Sequence, residues 1–222
     1  MLKDAANGWK PGSAAQGMRQ RRLQLFCDLV QDLPPPVRVL DVGGTHHFWL
    51  AMDRSVLPRM HITFLNRWAY QPELPDAEAV IGDARDLSRY ADRSFDAVFS
   101  NSVIEHVGGL RDQRLMASEC VRVARRYFSY FIQTPNRRFP VEPHFLIPGF
   151  QYLPLPVRAG LHAWRKWGWW DRAPSYHAAY EEVESIRLLT RREMRYLFPQ
   201  ATLWTERLLG LPKSFVAYGH HA

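Results

Sequence analysis

Cysteine is almost missing from the chain, with Cys27 and Cys120 the two in 222 residues. A pair at that spacing supplies neither a disulfide framework nor a cysteine-rich zinc site. Long apolar runs are missing too, since none reaches the ~18 uninterrupted residues of a membrane-spanning helix. The first residues lack a basic segment leading into an apolar run and a small-residue cleavage site, so the expected location is cytoplasmic. Acidic side chains are in deficit, 22 against 29 Lys and Arg, for a formal charge of +7. That excess suits phosphate, anionic lipid or another acidic partner without choosing among them. With 46% hydrophobic and 23% charged residues, the composition excludes collagen-like, coiled-coil and wholly disordered chains. The length suits one large domain, or one domain with an elaboration.

What is present is an alternation of short apolar runs and helix-sized intervals. Residues 1–16 mix Gly and Pro without a period and read as a flexible arm, with the domain proper spanning 17–222. From Met18 to Leu33 apolar positions recur at helical spacing, and Pro34, Pro35 and Pro36 end the helix. Val37 to Val42 is a mostly apolar strand running into Gly43 and Gly44. Further strands are expected at His61–Asn66, Ala79–Asp83, Phe95–Ser100 and Tyr127–Gln133, with a helix at Leu110–Ala124. Strands separated by helix-sized connections imply an α/β fold with a mostly parallel sheet covered on both faces. Residues 140–180 break the rhythm with Pro and aromatics and read as a cap or substrate-binding insertion. Thr190 and Glu193 form a capping box for a helix to Leu197. Ala201–Leu208 and Ser214–Tyr218 read as two antiparallel strands.

Ligands of open parallel sheets settle at the carboxyl ends of the strands. There the sequence places Asp41-Val42-Gly43-Gly44, Asn66, Gly82-Asp83-Ala84, and Ser100-Asn101 leading into Val103-Ile104-Glu105-His106-Val107. These segments, in this order and each at an expected strand end, resemble the class I S-adenosylmethionine-dependent methyltransferases, most closely their small-molecule branch. Thr134-Pro135-Asn136-Arg137 and Pro143-His144 add to the likeness, which spans roughly residues 37 to 146. The resemblance implies a Rossmann-like, seven-stranded sheet with an antiparallel last strand, and S-adenosylmethionine as cofactor. It also implies roles: Asp41, Gly43 and Gly44 around the methionine portion, Asn66 at the ribose, Asp83 and Ala84 at the adenine, and Asn101 at the amino-acid end. The sequence departs from the family pattern twice. The later glycine of the first motif is replaced within Thr45-His46-His47, and Asn66 stands where an acid is usual. On that reading Asn66→Asp should preserve or tighten cofactor binding, because a carboxylate accepts from hydroxyls more strongly than an amide.

Methyl transfer to a heteroatom displaces a good leaving group, so proximity and desolvation carry much of the catalysis, and a base is needed only for a protonated acceptor. His106 and His144 are the candidate bases, with His144 preferred for substrate contact. Adjacent His46 and His47 have no third ligand at recognisable spacing, so no metal is expected. The aromatic segment suits a small-molecule or lipid-like substrate. Its run Trp164-Arg165-Lys166-Trp167-Gly168-Trp169-Trp170 interleaves indoles with cations, as an anionic membrane surface would require. A nucleic-acid acceptor is disfavoured: Asn101-Ser102-Val103-Ile104 lacks the prolines and the aromatic that stack an extruded base. The altered first motif and Asn66 keep open a regulatory protein that binds the cofactor without turnover.

Overall fold

The computed structural model describes residues 12–50, 57–125 and 130–219. Helix α1 spans Ala14–Val30 and is started by Ser13, whose hydroxyl accepts from the Gln16 backbone N–H. Order therefore begins inside the segment read as a flexible arm, because Ser13 supplies a cap; residues 1–11 of that arm lie outside the described residues. The strands are β1 (Val37–Val42), β2 (Met60–Asn66), β3 (Ala77–Ile81), β4 (Ala97–Asn101), β5 (Tyr130–Pro135), β6 (Thr202–Leu208) and β7 (Leu211–Gly219). Their order across the sheet is β3-β2-β1-β4-β5-β7-β6. The β1 to β5 pairings are parallel, while β7 runs antiparallel to both β5 and β6. This is the expected Rossmann-like, α/β arrangement with an antiparallel last strand.

Strand edges differ from the reading in instructive ways. β3 ends at Ile81, whose pairing with Asn66 is closed by the Gly82 N–H on the Asn66 carbonyl at 2.8 Å, and Asp83 lies in the turn that follows. β4 begins at Ala97 because the Asp96 carboxylate takes the Arg38 N–H at 2.9 Å. β7 begins at Leu211, since Leu209 and Gly210, both at positive φ, close the hairpin alone. Two such residues fit the tight hairpin turn whose twist matches that of the strands. The start read for the fifth strand, at residue 127, lies outside the described residues.

The side-chain period of two divides β1 between two cores. Leu40 and Val42 join the face covered by helices α3 (Leu110–Val123) and α6 (Arg191–Leu197), with Met116, Cys120 and Met194. Val37 and Val39 join the opposite face with Phe26, Val30 and Trp49, from α1 and the short helix α2 (His46–Trp49). Between β5 and α6, helices α4 (Leu155–Trp164) and α5 (Tyr176–Glu184) pack through Ala159 and Ala179. Phe145, Phe150, Val183 and Ile186 form a separate cluster beneath Trp167 and Trp170. The aromatic insertion is thus helical, with a core of its own.

Candidate active site

The strand order reverses between β1 and β4, and the loops leaving β1 to β4 open there onto a cavity of about 500 Å³. Gly43, Asn66, Asp83, Ala84 and His106 line it, as do Arg67, Trp68, Val103 and Trp170. Gly43 has φ +78, and a Cβ there would lie 2.6 Å from Val103, so the first turn tolerates no side chain. A Cβ on Gly44 would fall 2.0 Å from the Asp41 carboxylate. Ser102, at φ +59, is held in a left-handed conformation by its N–H to the Gln133 carbonyl and its hydroxyl to Gln133 Oε1. Such strain persists only where neighbours impose it, and it is concentrated at functional sites.

Of the expected groups, Asn66 and Asp83 line the cavity with other partners already in place, while Asp41, Gly44 and Asn101 lie outside its wall. Asp41 is fully buried on the α1 side of β1, and Trp49 Nε1 donates to its Oδ2 at 2.7 Å. Burial pushes its carboxyl up to about 7, against the Trp49 and Gly44 hydrogen bonds, and its Oδ1 has no partner. Asn66 donates through Nδ2 to the Gly44 carbonyl at 2.8 Å, while its buried Oδ1 has no partner. That bond corrects the expectation for Asn66→Asp, because a carboxylate there would face a carbonyl acceptor. Asp83 accepts from the Arg85 backbone N–H and guanidinium, whose hydrogen bonds hold it below the usual carboxylate range. Asn101 ends β4 with a buried, unpartnered Oδ1, outside the cavity lining.

His106 faces the cavity and packs edge-on against His144, ring centroids 4.8 Å apart. His144 lies behind it, with Nδ1 2.7 Å from Glu142 Oε1. Glu142 Oε2 also accepts the His144 and Phe145 backbone N–H groups. Burial would lower the His144 imidazole, but the Glu142 hydrogen bond and charge outweigh it and set it above its ordinary range. His106 moves the other way, through lost hydration and the neighbouring His144. Glu105, fully buried, receives the Thr134 hydroxyl on Oε2 at 2.9 Å and has no partner on Oε1. Glu105, His106 and His144 converge because β4 lies beside β5 in parallel, which brings the following loops together, a neighbourhood that strand order along the chain does not state. A second cavity of about 190 Å³ is lined by Glu142, Arg137, Arg158 and Arg187, with Arg158 Nε buried and unpartnered.

A family model for a methyltransferase domain matches residues 49–127. No curated protein matches the chain. Among solved structures, a CurJ carbon methyltransferase is 14% identical with a TM-score of 0.58, covering 97% of this chain and 57% of its own. A possible exported protein from Bordetella parapertussis is 14% identical with a TM-score of 0.55, covering 93% and 69%. The N-methyltransferase NodS from Bradyrhizobium japonicum WM9, in complex with S-adenosyl-L-homocysteine, is 10% identical with a TM-score of 0.51, covering 90% and 85%. At such identities the likeness is one of fold. Together with the methyltransferase-domain match, it supports the class of S-adenosylmethionine-dependent methyltransferases, enzymes that take S-adenosylmethionine as cofactor. Among the described residues no helix is long and apolar enough to cross a membrane.

Proposed function

We propose that the chain transfers the methyl group of S-adenosylmethionine to a small-molecule or lipid-like acceptor, and that the segment 140–180 is the cap over that acceptor. The observation that carries the reading is the cavity at the carboxyl ends of β1 to β4, closed on one side by Trp170 of the cap and by His106. Its wall suits the cofactor. Gly43, at a positive φ and packed against Val103, turns the chain tightly so that its backbone lines the wall, and Asn66 offers a buried Oδ1 for a ribose hydroxyl. Asp83, charged and fixed by Arg85, is an acceptor for the adenine amino group, whereas Asn101, expected at the ammonium end, stands behind the wall at the end of β4. When bound, the cofactor supplies an electrophilic methyl on a sulfonium. The protein's part is to exclude water and to hold the acceptor in line.

The arginine-lined second cavity shares Glu142 with the His144 segment. A carboxylate or phosphate on the acceptor is the group that Arg137 and Arg158 would bind there. Incubation with a methyl-labelled donor and fractionated extract tests the reading: label should enter an acidic small-molecule or lipid fraction. Label in nucleic acid, or none anywhere with S-adenosyl-L-homocysteine bound, would replace it with the nucleic-acid or the regulatory reading.

A further inference from the structure

We infer that Glu105, His106 and His144 form a binding site for a divalent transition-metal ion, placed to hold the acceptor's oxygen at the wall of the cofactor cavity. One ligand atom from each of these residues lies within 4.8 Å of the others. Bonds of about 2.1 Å require ligand atoms to stand roughly 3–3.5 Å apart, so closing the set needs side-chain shifts of about 1 Å. Two imidazoles and a carboxylate match first-row ions such as Zn²⁺ or Mn²⁺ and leave positions open for a further ligand.

What separates the cluster from an ordinary buried polar group is the way each ligand is held. Glu142 occupies His144 Nδ1 at 2.7 Å, which leaves Nε2 as the free nitrogen. A carboxylate on the second ring nitrogen is how ligating histidines are oriented and made more basic. Thr134 likewise holds Glu105 Oε2 at 2.9 Å, while Oε1, in a residue with no exposed surface, has no hydrogen-bond partner. A buried carboxylate oxygen without a partner is costly, and a cation would satisfy it. His106 carries the cluster to the cavity, being both a member of it and part of the lining.

This role rests on the methyl-transfer reading. An acceptor hydroxyl bound at an open position would have its acidity raised by the ion and would release its proton to solvent. The oxygen lone pair then forms the bond to the methyl carbon as the carbon–sulfur bond breaks, its electron pair staying on sulfur. The products are a methyl ether, the neutral thioether and one proton. The substrate class that follows is a hydroxyl- or phenol-bearing acceptor.

Equilibrium dialysis of the full chain, stripped by chelator and then exposed to Zn²⁺ alone or Mn²⁺ alone, tests the site. One equivalent should bind, and Glu105→Gln and His144→Gln should each weaken it by more than about tenfold. A chain carrying His220→Ala and His221→Ala should keep it. If the buried variants fail to fold, as judged by thermal unfolding, His106→Ala at its exposed position carries the same expectation. No binding at millimolar metal, or unchanged affinity in His106→Ala, overturns the site. Calorimetry of the metal-free chain with S-adenosyl-L-homocysteine tests the other reading separately: metal binding without it would leave the site and remove methyl transfer, and the converse would do the opposite.

Discussion

Asp41 and Asn66 show how one residue's surroundings can reverse what its type suggests. Asp41 shares the face of Val37 and Val39, because side chains alternate along β1, and this parity was legible in the sequence. Its partner Trp49 was not, since a four-residue helix leaves no periodic trace. Burial without a cation raises the Asp41 carboxyl from 3.8 to about 7. The folded state then holds a proton that the unfolded chain has lost, so stability falls as pH rises between those values and the full penalty is present above about 7. The shift sets an upper bound of ~4 kcal/mol. Asp41→Asn, which still accepts from Trp49, should therefore gain on the parent as pH rises from 4 to 7 in urea unfolding. A difference that does not vary with pH would mean that Asp41 stays ionised. For Asn66→Asp, the lost bond to the Gly44 carbonyl should weaken S-adenosyl-L-homocysteine binding by ~1–3 kcal/mol in calorimetry. Unchanged affinity would show that the amide merely fills space.

Between elements, a buried ion pair joins α1 to the closing hairpin. Glu206 of β6 is buried, accepts the Ser214 hydroxyl at 2.6 Å, and lies 3.6 Å from Arg22 Nε. Removing one partner of a buried pair strands the other, so Arg22→Met should cost ~3–5 kcal/mol in denaturant unfolding. A cost below 1 kcal/mol would mean water reaches Glu206. No motif announces this pair, because a sequence does not say which helix covers the last strands. The proposed cap divides its tryptophans by exposure: Trp167 and Trp170 pack on the Phe145 cluster, while Trp164 is 66% and Trp169 44% exposed. Arg165 stands over the rings of both Trp164 and Trp167. The proposed anionic-membrane contact would use the exposed pair. The chain should sediment with anionic vesicles at low salt and release as salt rises, and Trp164→Ser should weaken that binding. Failure to sediment at low salt removes the membrane as a partner.

Across the whole molecule, what could be read from the sequence was what repeats. Apolar runs at helix-sized intervals foretold the seven strands, and the strand ends marked where a ligand would settle. The helices of the cap were not legible, since Pro and aromatics interrupt the periodicity through which Ala159, Ala173 and Ala179 pack α4 against α5. Nor was the convergence of Glu105 with His144, which depends on β4 lying beside β5. The cavity draws its wall from the loops after β1, β2, β3 and β4 and from Trp170 of the cap. A ligand filling it would bind only the folded chain and would join segments far apart in sequence. At a hundredfold excess over its Kd, such a ligand stabilises by ~2.7 kcal/mol, which for a chain of this size is a rise of about 5–10 °C in Tm. S-adenosyl-L-homocysteine should produce that rise in a thermal melt. Trp170→Ala should reduce it at equal ligand concentration by lowering affinity, since the indole is the cap's part of the wall. An equal rise in both proteins would mean that the cofactor closes its site without the cap, leaving the segment around Trp170 to the acceptor alone.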